Sequence, residues 1–304
     1  MVNNPDLNII ICDNDSGDDS LGQIEQKLAL PEVRVMLAGR DIVRLNEDAI
    51  INAAVLTQGP ALYLLQNKEN YGYAGGNNRG IRLALLDDRC DYIWLLNNDT
   101  EVTSESYLPL LRKMQSDKTI GVCGSVLLLE DDRERLQGVG GKFNQKLCIS
   151  SHVLDGETLK NFRKRDCRDL KIDYVIGASM LISADVLKTV GLLSEEYFLY
   201  YEEIDFCLRV KKHGKISFAE DSFVFHKLGS TIKKSKGVLA DYLSIKNRLI
   251  VAKKFYPKYY PIVWLSLVGV LFNRFKRAEF VKAKNVVKVM TWDAITILFK
   301  HKTV

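Results

Sequence analysis

The sequence predicts an α/β protein built on a mainly parallel sheet flanked by helices, and three observations carry that prediction. Short apolar runs rich in β-branched or aromatic residues recur, at "NIII" (8–11), "ALYLL" (61–65) and "YIWLL" (92–96), each leading to Asn or Asp within two residues. Helix-compatible stretches separate them at crossover distance, and parallel strands need such crossovers. With 304 residues and 47% hydrophobic content the chain can bury a large core.

Taken in order, "LNIIICDNDSGDDS" (7–20) reads as a buried strand opening into a loop. Residues 21–60 mix polar and apolar positions at loosely helical spacing, predict an extra helix, and stop at "TQGP". "ALYLLQN" (61–67) is the next strand, "KENYGYAGGNNRG" (68–80) a Gly/Asn-rich loop and "IRLALLDD" (81–88) a helix. "DYIWLL" (91–96) then reads as a fully buried strand, "YLPLLRKMQ" (107–115) as a helix and "GVCGSVLLL" (121–129) as a strand. Past charged loops, "IDYVIGASMLISADVLKTVGLL" (172–193) is a strand running into a helix. "YFLYYEEIDFCLRVKKHG" (197–214) ends in a helix closed by Gly214, and "KISFAEDSFVFH" (215–226) alternates as a strand does. From about 238 the chain reads as helical and basic, which divides it into a catalytic domain, 1–237, and a C-terminal segment, 238–304.

Composition narrows the function classes. Six scattered cysteines with no C-x-x-C pair are no disulfide framework, and "MVNNPDLNIII" is no secretory leader. No run is apolar over the ~18 residues that a bilayer span requires. A cytoplasmic protein is the expectation. The net charge of +5 conceals an asymmetry: residues 211–304 hold 20 Lys and Arg against 5 Asp and Glu, while residues 1–210 hold 23 against 33. The basic third has no recognisable reading motif for nucleic acid, which is therefore not expected as a partner.

A strand ending in "NNDT" (97–100) is a good turn, since Asn and Asp satisfy their own backbone there. It also puts a hard oxygen ligand for Mg²⁺ or Mn²⁺, Asp99, beyond the carboxyl end of a strand, where ligands of open α/β sheets bind. The loop "NYGYAGGNNRG" is neither a Walker A loop nor a dinucleotide fingerprint.

Six motifs, "CDNDSGDDS", "NYGYAGGNNRG", "LLNNDTEV", "GASML", "YYEEIDFCLR" and "FHKLGST", stand in this order at domain-scale spacing. Together, over residues 7 to 250, they resemble the family-2 inverting glycosyltransferases of the GT-A fold, particularly rhamnosyl- and other hexosyltransferases of bacterial surface-polysaccharide assembly. The resemblance implies a nucleoside-diphosphate sugar donor, UDP- or dTDP-linked, and a saccharide or lipid-linked oligosaccharide acceptor. It assigns Asp13, Asn14 and Ser16 to the nucleotide base, and Asn70, Gly76 and Asn78 to close approach of the nucleotide. Asn97 and Asp99 fall at the metal-binding D-x-D position, with Asn97 replacing the first Asp, and His226 matches a histidine that completes the metal site. In "YYEEIDFCLR" the family's base position falls on Glu203, one methylene and roughly 1.5 Å longer than Asp, with Asp205 in reserve. Glu202 beside it also fits a solvated helix start. "GASML" would lie beneath the acceptor. Members of the family open with a further strand and helix before the counterpart of "LNIIICDN", so either the start is truncated or the site works with those contacts missing or supplied otherwise; a protein that keeps the fold, has lost turnover and only binds glycan or membrane is the alternative.

The tail adds a separate expectation. "YPIVWLSLVGVLF" (260–272) amid many Lys and Arg suits a helix lying on an anionic membrane surface, which would place the protein on the inner face of the plasma membrane; packing on the catalytic domain or a homodimer contact suits it equally.

Overall fold

A computed structural model of the chain describes residues 7–37, 39–51, 53–227 and 237–300, with side chains to residue 291. The end of the motif "FHKLGST", residues 228–231, lies outside the described residues.

Two sheets carry the fold. The first is fully parallel, with β3 (Ala61–Gln66) between β1 (Ile9–Asp13) and β2 (Asp41–Asn46). Five successive buried residues, Ala61 to Leu65, are what a strand covered on both faces requires. The second sheet is mixed. Its order is β4 (Tyr92–Leu96), β10 (Ser179–Ser183), β6 (Ile120–Leu129), β11 (Lys215–His226), β5 (Thr100–Val102), with the short β7 (Leu136–Gly138) on β6. Only β6 and β11 run parallel in it; β10 and β5 run against their neighbours. A separate hairpin joins β8 (Gly141–Asn144) to β9 (Ile149–His152).

Sequence and structure part company at four places. Residues 21–60 form two helices, α1 (Ser20–Ala29) and α2 (Pro31–Met36), and then a strand, β2, whose alternation of exposed and half-buried residues is too weak to announce it. The strand expected from residue 172 begins only at Ser179, after a non-strand approach. The β8–β9 hairpin lies where loops are expected. β4, expected to be fully buried, has only Leu95 buried, because β4 is an edge strand paired to β10 alone. β1 likewise pairs only with β3. The sheet is thus divided between β1 and β4, and α3 (Gly72–Ala84) connects the parts: Gly80 packs on Cys12 of β1, while Ala74 and Ile81 enter the core that holds Leu95 of β4.

The remaining helices are α4 (Tyr107–Ser116), α5 (Leu159–Phe162), α6 (Ala184–Val190), α7 (Glu202–Val210), α8 (Val238–Phe255), α9 (Tyr260–Lys276) and α10 (Phe280–Lys300). α4 sets Leu110 and Met114 against Ile120, Cys123 and Leu181 of the second sheet. The basic C-terminal segment is helical as expected and has no core of its own. Ile245 and Leu249 of α8, Val263 and Leu267 of α9 and Val286 of α10 lie in one cluster with Val122 and Val126 of β6 and Phe206 of α7. Among the described residues no helix is long and apolar enough to cross a membrane.

Candidate active site

The "NNDT" segment is a turn that also sets Asp99 beside the end of β11. Asn97 accepts from the Thr100 amide and hydroxyl at 3.2 and 2.6 Å and donates its own amide to Ala178 at 3.1 Å. β5 then pairs antiparallel with the end of β11, and the Lys227 amide donates to the Asp99 carbonyl at 2.9 Å. This pairing brings Asp99 and His226, far apart in sequence, to a separation of 3.2 Å between Oδ1 and Nε2.

The contact is close without being a directed hydrogen bond, for Oδ1 is buried and has no hydrogen-bond partner. On the far side of the ring, Nδ1 lies 2.8 Å from Oε1 of Gln137, an oxygen that can only accept, so Nδ1 carries a proton. Nε2 is left to turn its lone pair toward Asp99. Were Nε2 protonated as well, its hydrogen bond first and then its charge would hold the Asp99 carboxyl below the ordinary range. An orphaned carboxylate oxygen beside an imidazole whose tautomer is fixed from behind fits a divalent cation, whose adjacent octahedral ligands stand roughly 3 Å apart. Among the described residues no group of three or more His, Cys, Asp or Glu could hold a metal. Two protein ligands suffice for Mg²⁺ or Mn²⁺, which leave other positions to phosphate and water.

The carboxylates of α7 stand against the same cleft. Tyr200 and Tyr201 both adopt positive φ, 70° and 75°, a costly conformation for aromatic residues that turns the chain sharply into the helix. Two side chains hold it: the Tyr201 hydroxyl donates to Cys148 at 2.9 Å, and Nδ2 of Asn247 donates to Leu199 and Tyr200 at 2.8 and 2.9 Å. Glu202 and Glu203 follow in the first helical turn, each with a buried Oε2 that has no hydrogen-bond partner. Burial lifts the Glu203 carboxyl to about 7, against the pull of backbone amides at the helix start. Burial first, then the Glu203 charge, drives Glu202 well above the carboxylate range.

Tyr73 links the two halves. Its hydroxyl donates to Gly177 at 2.6 Å, and its phenol is raised by burial and then by the charges of Glu202, Glu203 and Asp99 together. A methyl placed on Gly177 would touch that hydroxyl at 3.4 Å and Cβ of Glu203 at 3.8 Å, while the next residue, Ala178, receives the Asn97 amide. Tyr73, Gly177 and Glu203 are therefore neighbours, and Asp99, which faces His226, is close enough for its charge to act on the same phenol.

Other expected residues are placed differently. Asp205 is fully buried; Oδ1 meets Nε of Arg209 at 2.7 Å, and Oδ2 meets Nζ of Lys254 at 2.6 Å and the Tyr197 hydroxyl at 3.1 Å, so both oxygens are engaged by structural partners, which argues against a reserve base. Asn78 is buried with both amide hydrogens taken, by Leu193 and Glu195, and its oxygen receives the Leu193 amide. Asn14 is a hub, donating to Asn70 and Gly72 and accepting from Asn67 and Tyr71. Asn70 accepts from Asn14 and the Gly72 amide. Gly76 gives room to the Asn14 side chain, which a Cβ would meet at 3.0 Å. Gly72, at φ 71°, lies so close to Phe198 that a Cβ would stand 2.2 Å from its carbonyl oxygen. These glycines and amides tie the strand ends to one another. Asp13 and Ser16 line a separate concavity with Asp18, Arg44 and Gln66, with Asp13 accepting the Ser16 amide at 3.4 Å.

Sequence reasoning missed Tyr73, Gln137, Lys254 and Asn247. Tyr73 alone had a signal, its place inside the glycine-rich motif; the others come from segments with no motif.

The description "Glycosyl transferase family 2" matches residues 46–191. That span holds the glycine-rich loop, Asp99 and "GASML" and ends before Glu203. The low-salt glycan biosynthesis hexosyltransferase Agl10 of Haloferax volcanii is 25% identical over 214 residues, 70% of this chain and 67% of Agl10. The dTDP-rhamnosyl transferase RfbF of Shigella flexneri is 22% identical over 220 residues, 70% of this chain and 69% of RfbF. The rhamnosyltransferase WbbL of Escherichia coli K12 is 24% identical over 180 residues, 57% of this chain and 66% of WbbL. Two solved structures share the fold. GalNAc-T7 with UDP, GalNAc and Mn²⁺ has a TM-score of 0.57 at 15% identity, over 85% of this chain and 44% of that one. The mannosyltransferase PcManGT from Pyrobaculum calidifontis, in complex with GDP-Man and Mn²⁺, has a TM-score of 0.51 at 11% identity, over 95% and 66%. This chain thus spans about two thirds of each curated relative and under half of GalNAc-T7. Residues 46–191 thus match glycosyl transferase family 2, and the GT-A fold of the chain and the order of its motifs agree with that match.

Proposed function

We propose that the protein is an inverting hexosyltransferase, moving a hexose or deoxyhexose from a nucleoside-diphosphate sugar to a saccharide or lipid-linked acceptor in surface-polysaccharide synthesis. The observation that supports this reading is the 3.2 Å approach of Asp99 to His226 together with the action of the Asp99 and Glu203 charges on one buried phenol, that of Tyr73. Relatives that act on hexoses and rhamnose, and fold neighbours solved with nucleotide sugars or nucleotides and Mn²⁺, support the substrate class.

In this reading Asp99 and His226 would hold Mn²⁺ or Mg²⁺, which would stabilise negative charge on a departing diphosphate without proton transfer. Gln137 keeps the proton on Nδ1 of His226, so that Nε2 stays available. Glu203, ionised, takes the proton of the acceptor hydroxyl as it attacks the anomeric carbon from the face opposite the leaving group. Glu202 stays protonated beside it, since two adjacent buried carboxylates do not both ionise readily. Tyr73, anchored on Gly177, would lie near both groups, since the charges of Glu203 and Asp99 act on its phenol. Asp13 and Ser16 border the cleft assigned to the base of the nucleotide.

The test is a screen of UDP-, dTDP- and GDP-sugars by thermal shift with and without Mn²⁺, followed by transfer and donor hydrolysis for each binder. A donor that raises Tm only with Mn²⁺ and is turned over supports the reading. Binding without turnover of any donor would leave instead a glycan-binding protein that keeps the fold.

A further inference from the structure

We infer that the outer face of α9 is a docking surface for an anionic lipid bilayer. This helix has two unlike sides. Val263 and Leu267 are buried in the main core, where Val286 of α10 and Ile245 of α8 also lie. On the other side Ile262, Leu265, Val268, Phe272 and Phe275 follow one another at steps of three or four residues, one stripe along a helix. All five are exposed, Leu265 at 61% and Phe272 at 64%. The stripe continues round the corner into α10, for the Phe275 and Phe280 rings pack edge to face at 6.3 Å, and Phe280 and Val281 are exposed as well. An unbroken row of large apolar side chains is not what a helix facing water carries.

Charge selects the occupant. Between residues 253 and 291 there are nine Lys and Arg and a single acid, Glu279, which Arg274 and Lys282 already engage. Lys258, Lys276, Arg277, Lys284 and Lys288 are exposed on the same segment, with Lys276 lying 6.0 Å over the Phe272 ring of the apolar stripe. A second copy packed symmetrically on this face would bring these like charges together. An anionic bilayer accepts both features, apolar side chains entering the acyl boundary and basic ones meeting headgroups. α9 has 17 residues, too short and too amphipathic here to cross, so it lies in the plane of the surface. This inference does not rest on the transfer reaction, and its readout needs no substrate.

The experiment is co-sedimentation of the full chain with phosphatidylcholine vesicles, with and without phosphatidylglycerol. The wild type is expected to pellet with the anionic vesicles, several-fold less with neutral ones, and less as salt rises. L265D/F272D should lower binding about 10-fold or more, and K276E/R277E should do so by roughly 10-fold on anionic vesicles only. Both pairs are exposed, and an unchanged melting curve shows that they fold. Equal pelleting of L265D/F272D and wild type overturns the inference. So does a wild type that ignores vesicles, including one that sediments without lipid as a dimer broken by L265D/F272D.

Discussion

Glu203 keeps its proton more tightly than a carboxyl in water because burial leaves the charged form poorly solvated, and this sets two opposite trends with pH. Its carboxyl lies at about 7 in the folded protein against an ordinary value of 4.5. Between those values the folded state binds more protons than the unfolded one, so the stabilisation from protonated Glu203 is present below about pH 4.5 and lost by about pH 7. A general base must be ionised, so transfer should instead rise as pH climbs through about 7. Glu203→Gln is therefore expected to lower kcat at least ~100-fold while raising stability at pH 8 by about 1–3 kcal/mol. Transfer rates and melting curves across pH check both signs; a variant that loses rate and stability together would make Glu203 a structural residue. Asp99 gives the companion test. Asp99→Ala removes the carboxylate beside His226 and should abolish the Mn²⁺-dependent part of the donor's thermal shift, and a surviving part would move the cation elsewhere. The residues of this pair were legible in sequence because strand ends that carry acids are recognisable. Their tuning was not, since desolvation of Glu203 and the Gln137 contact that fixes His226 depend on segments far away in the chain.

Between elements, the segment 198–201 is held from two sides, and its position decides where α7 begins. From one side α3 docks on Phe198: the Tyr73 amide donates to its carbonyl at 2.8 Å, and Gly72 permits the approach because it has no Cβ. From the other side Asn247 of α8 donates to Leu199 and Tyr200. Both contacts position Glu202 and Glu203 without touching a substrate. Asn247→Ala strips the donors from two carbonyls and should cost about 1–3 kcal/mol. As a positioning residue it should also lower kcat by roughly 10-fold while the Mn²⁺-dependent donor shift stays as in wild type, because Asp99 and His226 are held by β5 and β11. Stability loss with unchanged kcat would assign Asn247 to packing alone. In the motif "NYGYAGGNNRG" the sequence announces a site but not which side chains face it. Asn14, Asn70 and Asn78 are the polar residues that a ligand argument selects, yet a strand-end junction needs amides to satisfy its backbone just as much. Hydrogen-bonding capacity is visible in a sequence; the partner is not.

At the scale of the whole molecule, the main α/β pattern could be read because β3 and β6 are continuous apolar runs. The division of the sheet between β1 and β4 could not be, since an edge strand and a central one can share a composition as apolar as "YIWLL". The change of charge near residue 211 similarly suggests a separate C-terminal segment, whereas the described residues give α8, α9 and α10 a share in the principal core. Ile245, Leu249, Val251 and Ala252 are buried there, and α8 also supplies Lys254 to Asp205 and Arg248 to the Leu147 carbonyl. Asp205 makes the consequence sharp. Without Lys254, a carboxylate wholly buried in α7 would keep Arg209 and Tyr197 but lose the second of its two cations, which leaves its buried charge less fully compensated. Removing the apolar side chains of α8 would add roughly 1.5–3 kcal/mol for each large one no longer covered, a sum comparable to the whole stability of a domain. A chain ending at residue 237 is therefore expected not to fold. It should lose the cooperative melting transition and the near-ultraviolet circular dichroism of the full chain, whereas L265D/F272D, on the outer face of α9, keeps both. A cooperative melt of 1–237 that still responds to Mn²⁺ and donor would show that the site is complete without α8.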